Sequence, residues 1–115
     1  MALRNFTRLF SVQSKLKTNP IENNFEKEEL KIKINDAFAT VTYKKMDNNT
    51  YDLLHTSIPE IYQGQGLGSI LAERIFDHLI QSNKKIKVTC EYLQKYVSTK
   101  GEKYKNSILD SNNEI

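Results

Sequence analysis

Residues 63–69 read Gln-Gly-Gln-Gly-Leu-Gly-Ser, between a strand-like and a helix-like apolar run. Glycines adopt positive φ at no steric cost and let a ligand approach the backbone closely. Where such a loop opens a helix, unpaired amides and the helix dipole form a site for an anion. The loop lacks the Gly-Lys-Ser/Thr ending of a nucleotide-binding P-loop. Gly64-x-Gly66-x-Gly68 also differs from the Gly-x-Gly-x-x-Gly of dinucleotide-binding folds. Side chains able to move protons or attack a carbonyl lie on either side of it. They are His55, the single cysteine Cys90, and Tyr92 and Tyr96. An imidazole titrates near pH ~6.5 and suits a general base, and a thiolate is a nucleophile. The plainer readings are a glycine-rich turn that holds no ligand, a hydrogen-bonded histidine and a small buried cysteine.

The surrounding pattern shows what must position these groups. Leu30, Ile32 and Ile34 alternate with Lys31 and Lys33, a half-buried strand. Asn35-Asp36 supplies a turn, and residues 37–44, rich in β-branched and aromatic side chains, form a second strand. Residues 46–50 turn again and 51–58 form a third, so the short connections predict an antiparallel meander. Pro59 ends the pairing. Leu67, Ile70, Leu71, Ile75 and Leu79 recur at helical spacing and predict a helix over 67–82. Residues 86–92 read as a fourth strand, parallel to the third through a right-handed crossover, and 93–104 as a weaker helix interrupted by Gly101. Three antiparallel strands ahead of the loop argue against a dinucleotide-binding start.

The chain has 115 residues and a formal net charge of +3, a length suited to one domain. Residues 1–21 hold Arg4, Arg8, Lys15 and Lys17 and no acid, so the remainder is nearly neutral. A nucleic-acid partner is therefore not implied by overall basicity. No apolar run approaches the roughly 20 residues of a membrane span. One cysteine permits no internal disulfide, and no cluster has metal-ligand spacing, so no metal is expected. At 100° per residue, Ala2, Leu3, Phe6, Leu9 and Phe10 oppose Arg4, Arg8, Ser11 and Lys15. This acid-free amphipathic segment resembles a mitochondrial transit peptide. Residues 1–21 are thus expected to be a transit peptide or a disordered basic tail, and 22–113 the domain. Residues 18–28 read as a linker or a ragged strand entry, and a cytoplasmic location is the alternative.

Gln63-x-x-Gly66-x-Gly68, between a strand and a helix, resembles the Gln/Arg-x-x-Gly-x-Gly/Ala signature of GNAT acetyltransferases. Residues 54–60 and 88–97 extend the likeness to the minimal, single-domain N-acetyltransferase-like branch, over about residues 28–104. The resemblance implies an α+β fold with a mixed sheet and acetyl-CoA as co-substrate. It implies that Gln63, Gly64, Gln65, Gly66, Leu67, Gly68 and Ser69 hold the pyrophosphate, and that Thr56, Ser57 and Ile58 pair with the pantetheine arm. It places a histidine before the loop and a cysteine on the next strand, here His55 and Cys90, on the two strands that the coenzyme separates. In direct transfer His55 deprotonates an amine acceptor; in the covalent alternative Cys90, activated by His55, takes the acetyl group first. A tyrosine near the start of the last helix is the general acid in many members, here Tyr96 or, second, Tyr92, otherwise packed around pantetheine. Ser98-Thr99-Lys100-Gly101 stands where a proline-containing turn is expected, which puts the last helix in question. The implied activity is acetyl-CoA-dependent N-acetyl transfer to a primary amine by a monomer or weak dimer. A non-catalytic acyl-CoA-binding or sensing module and a plain interaction protein are the competing readings.

Overall fold

A computed structural model describes residues 11–109. Residues 11–18 are helical (α1), followed by β1 (Ile21–Asn24), β2 (Glu29–Ile34), β3 (Ala37–Lys45) and β4 (Thr50–Ser57). A 3-10 turn at Glu60–Tyr62 leads through the glycine loop into α2 (Leu67–Gln81). Then come β5 (Lys85–Val88), α3 (Glu91–Lys100) and a 3-10 segment, Glu102–Ser107. The sheet runs β1-β2-β3-β4-β5, antiparallel except for the parallel pair β4 and β5. This is the mixed α+β sheet expected, with the meander ahead of the loop and the parallel strand after the crossover helix.

Pairing puts Leu30 opposite Val41 and Ile32 opposite Ala39, all with no exposure. Tyr43 opposite Leu53 and Tyr51 opposite Ile86 continue the same buried face. Helix α2 covers it with Leu67, Leu71, Ile75, Phe76 and Leu79, and α3 adds Leu93 and Tyr96. Helix α2 ends in a Schellman motif, with Asn83 at φ 59° and hydrogen bonds from Asn83 to Ile80 O and from Lys84 to Leu79 O. Among the described residues the opposite sheet face is open, carrying Lys31, Phe38, Thr40, Thr42, His55 and Ser57, all half-buried or exposed.

Residues 18–28, read as a linker or a ragged strand entry, hold the strand β1, which pairs with β2 from Ile21↔Ile32 to Asn24↔Glu29. Three details differ from the sequence expectation. Helix α1 is part of the packed domain, because Val12 and Leu16, one turn apart, are 6% and 0% exposed. Burying two such side chains is worth about 1.5–3 kcal/mol each. A boundary at residue 21 therefore cuts through the core, and residues 11–21 are not a disordered tail. The rest of the proposed leader, 1–10, lies outside the described residues. Strand β5 stops at Val88, because Thr89 and Cys90 both donate their amides to Leu53 O (3.0 and 2.9 Å) and turn the chain into α3. Helix α3 forms without the proline turn. It ends at Gly101, where a Cβ would stand 2.6 Å from Val97 Cα.

Candidate active site

The last paired rung between β4 and β5 is Leu53↔Val88. Beyond it β4 continues to Ser57 while the other chain turns away, so among the described residues 54–57 pair only with β3. A gap opens there between β4 and the start of α3. A hydrogen bond from Thr89 Oγ1 to Asp52 Oδ1 (2.6 Å) pins the point of divergence. Asp52 is 8% exposed, and sequence reasoning had passed over this pair. Its signal was a carboxylate between Tyr51 and Leu53, since a buried carboxylate requires a partner.

At the mouth of the gap lies a cleft of about 210 Å³ lined by Thr56, Ile58, Gln63, Gly68 and Tyr92. It adjoins one of about 280 Å³ that Tyr62, Gly64, Gly66 and Leu67 also line. Gly64 and Gly66 have φ of 80° and 75°, and nothing lies within 4 Å of where their Cβ atoms would be. Helix α2 starts with Gly66 as its N-cap, no side-chain cap and no acid in its first turn. Its first amides thus have no partner within the helix and face a site that favours negative charge. The Gln63 side chain donates to Ile58 O at 3.0 Å and closes the base of the loop. Gly68 has a different role: a Cβ there would stand 2.5 Å from Tyr92 Oη, so this glycine makes room for the phenol. These features fit an elongated ligand that carries a diphosphate at one end. His, Cys, Asp and Glu form no metal-binding group among the described residues.

The catalytic candidates do not converge as expected. Between Thr42 and Tyr43 the register slips, with Thr42 opposite His55 but Tyr43 opposite Leu53. Leu54 is therefore an extra residue, a β-bulge, and it reverses the alternation of the strand. Thr56, opposite Val41, faces the helix-covered side, and its Oγ1 lies 3.4 Å from Cys90 Sγ. His55 faces the open side and is exposed. The two residues thus flank the gap from opposite faces, contrary to the arrangement in which His55 activates Cys90. His55 has no hydrogen-bond partner among the described residues, while the buried Oγ1 of Thr42 opposite it is also unpartnered. Cys90 caps α3 at 7% exposure instead of sitting within β5.

The tyrosines exchange roles. Tyr96 is 7% exposed and stacks on Phe76, ring centroids 5.9 Å apart, with Tyr104 on the same ring at 5.1 Å. It belongs to the core and does not line the cleft. Tyr92, 46% exposed, does line it. Burial, and then the neighbouring Cys90, push the Tyr92 phenol above its ordinary range, so it keeps its proton at neutral pH. Ser57 lies on the exposed face, and Ser69 accepts a hydrogen bond from Lys100 Nζ (3.2 Å). Glu60 and Glu91 are exposed, and His78 is half-buried on α2.

The model for GCN5-related N-acetyltransferases matches residues 27–107. The chain belongs to this family. Among relatives of this GCN5-related N-acetyltransferase family member is Protein NATD1 from Danio rerio, 30% identical over 79 residues, 67% of this chain and 72% of the relative. Protein NATD1 from Xenopus tropicalis is 29% identical over the same shares. The human Protein NATD1 is also 29% identical, with 70% of its length covered. In three dimensions the family member resembles the solution structure of a GCN5-like protein from Staphylococcus aureus, with a TM-score of 0.55 and 28% identity. That likeness covers 80% of this chain and 90% of the other. Acetyl-CoA is the general co-substrate of this fold family. Helix α1 and strand β1 precede the matched segment.

Proposed function

We propose that this family member transfers an acetyl group from acetyl-CoA to a primary amine. The observation that carries the reading is the edge of β4 beyond Leu53, unpaired among the described residues and aligned with the uncapped glycine loop at the start of α2. Such an edge offers backbone hydrogen bonds to an amide-bearing arm, and the loop offers amides to a diphosphate. When bound, acetyl-CoA supplies an activated thioester.

The residues then divide by side. His55 on the open face accepts the proton of the incoming amine, directly or through water. The C–N bond forms as the C–S bond breaks, and Tyr92, protonated at neutral pH, gives its proton to the departing thiolate. Cys90, held by Thr56 on the other face from His55, favours direct transfer over an acyl-cysteine route.

Calorimetric titration of the full chain with acetyl-CoA, beside a Gly64→Val/Gly66→Val variant, tests the site. Saturable binding lost in the variant supports it; no binding by the folded wild-type chain overturns it. Release of free thiol in a panel of peptide, lysine and polyamine acceptors then tests turnover.

A second reading, a non-catalytic acyl-CoA-binding or sensing module, draws on the lack, among the described residues, of a hydrogen-bond partner to orient His55. In that case acetyl-CoA binds and no acceptor releases thiol. The mitochondrial address is retained as a proposal with its cleavage point moved ahead of Val12, a core residue. Sequencing the N-terminus of the mature protein tests it.

A further inference from the structure

Helix α1 lies ahead of the segment that the family model matches, which starts at residue 27. Val12 and Leu16 seat it in the core, and Arg74 Nη1 donates to Leu16 O at 2.6 Å, tying its C-terminal end to α2. Its polar side chains reach toward the coenzyme loop. Gln13 Nε2 donates to Gln65 O at 3.4 Å. Lys15 Nζ donates to Asn35 Oδ1, and Asn35 Nδ2 donates to Tyr62 Oη at 2.8 Å. Tyr62 and Gln65 bracket Gln63-Gly64, and a Cβ at Gly64 or Gly66 would have nothing within 4 Å. Among the described residues, Gln13 supplies the one hydrogen bond to 64–66 from outside the loop and its own helix.

A glycine-rich loop with open surroundings samples many shapes, and ordering it at binding costs affinity. A neighbour that limits those shapes beforehand removes part of that cost. We propose that α1 is a brace for the coenzyme loop, with Gln13 and Lys15 as positioning residues that act through Gln65 and through Asn35–Tyr62. The inference rests on the coenzyme site proposed above. It also gives these residues a role that excludes their use as a removable leader. By linkage the coupling is reciprocal: if docked α1 favours the coenzyme, bound coenzyme must hold α1 down by the same factor.

The test uses the full chain. Amide hydrogen exchange across residues 13–19 is measured with and without saturating acetyl-CoA, and the turn at 25–28 serves as control. Calorimetry compares wild type with Gln13→Met and Gln13→Met/Lys15→Met, which remove donors without adding charge. Asn23→Ala, which strips the Tyr43 hydroxyl of its partner on β1, controls for general destabilisation. The expected result is about fivefold or more slowing of exchange in α1, none in the control turn, and an acetyl-CoA Kd raised severalfold in the Gln13 variants but not in Asn23→Ala. The exchange measurement needs no substitution, so a variant that fails to fold does not remove the test. Unchanged α1 exchange, or equal Kd in all variants, overturns the brace while leaving the coenzyme site standing. Absence of binding by the wild-type chain overturns both.

Discussion

Thr56 Oγ1 and Cys90 Sγ lie 3.4 Å apart across the gap where β4 and β5 part. Because neighbouring strand residues point to opposite faces, this contact and the bulge at Leu54 together send His55 to the far side of the sheet. The thiol is therefore held by a hydroxyl and has no base beside it from this histidine.

The chemistry should divide accordingly. Cys90→Ser, which keeps a small polar group opposite Thr56, should hold kcat within about threefold. His55→Ala should lower kcat by roughly 10²–10⁴, the usual contribution of a general base, with acetyl-CoA affinity nearly unchanged. Steady-state rates beside calorimetric Kd values check both, and a Cys90→Ser loss as deep as that of His55→Ala would restore the acyl-cysteine route.

Gly68 and Tyr92 should behave as one unit. A methyl at 68 meets the far end of the half-exposed Tyr92 ring, which can swing away, so Gly68→Ala should displace the phenol from the cleft at only a small cost in stability. In a Tyr92→Ala background most of that cost should vanish. A double-mutant cycle in urea measures the coupling, and full additivity would refute the contact.

The meander, the turn at Asn35-Asp36, the glycine loop and α2 were legible because each rests on a local pattern. Alternation in Leu30–Ile34 and helical spacing from Leu67 to Leu79 are signals of that kind. The bulge was not legible. Continuing the alternation of Tyr51 and Leu53 puts His55 inward, and one extra residue inverts that face. Tyr96 and Tyr92 were confused because Phe76, which claims Tyr96 for the core, comes from a different element. Residues 11–18 were misread because Val12 and Leu16, four apart in a basic segment, look the same in a leader or tail as in a helix packed into the core. Only the contacts of Val12 and Leu16 distinguish the two.

Those contacts can be weighed directly. Leu16→Ala in the full chain should destabilise by about 2–5 kcal/mol, as buried leucines do, and a chain begun at residue 22 should lose more. Urea unfolding followed by circular dichroism reports both. A truncated chain as stable as the full one would show that α1 is dispensable for packing.

Burial raises the phenols of Tyr43, Tyr96 and Tyr104 above the ordinary tyrosine value. A group whose folded pKa is raised stabilises fully below its unfolded pKa, near ~10, and loses that contribution as pH rises beyond it. Stability should thus be flat with respect to these groups up to about pH 9 and fall steeply above pH ~10. The Tyr104 hydroxyl sits near Asp77 and Tyr96 without a well-formed hydrogen bond to either. Tyr104→Phe should therefore cost little at pH 7 and flatten the alkaline loss, as read from melting temperatures between pH 7 and 11. An alkaline limb identical in wild type and variant would exclude Tyr104 as a contributor.

Thr42 and His55 face each other at the bulge, and the threonine hydroxyl is buried with no partner among the described residues. An unpaired buried hydroxyl has already lost its water, so Thr42→Val should be neutral or stabilise by up to about 1–3 kcal/mol. That holds if the hydroxyl serves nothing. If instead it orients His55 once substrates fill the gap, Thr42→Val should gain stability and lose kcat together, and Thr42→Ser should restore the rate. Melting temperature and kcat measured on the same three proteins separate the cases. A variant with unchanged kcat and raised stability assigns the threonine to packing alone.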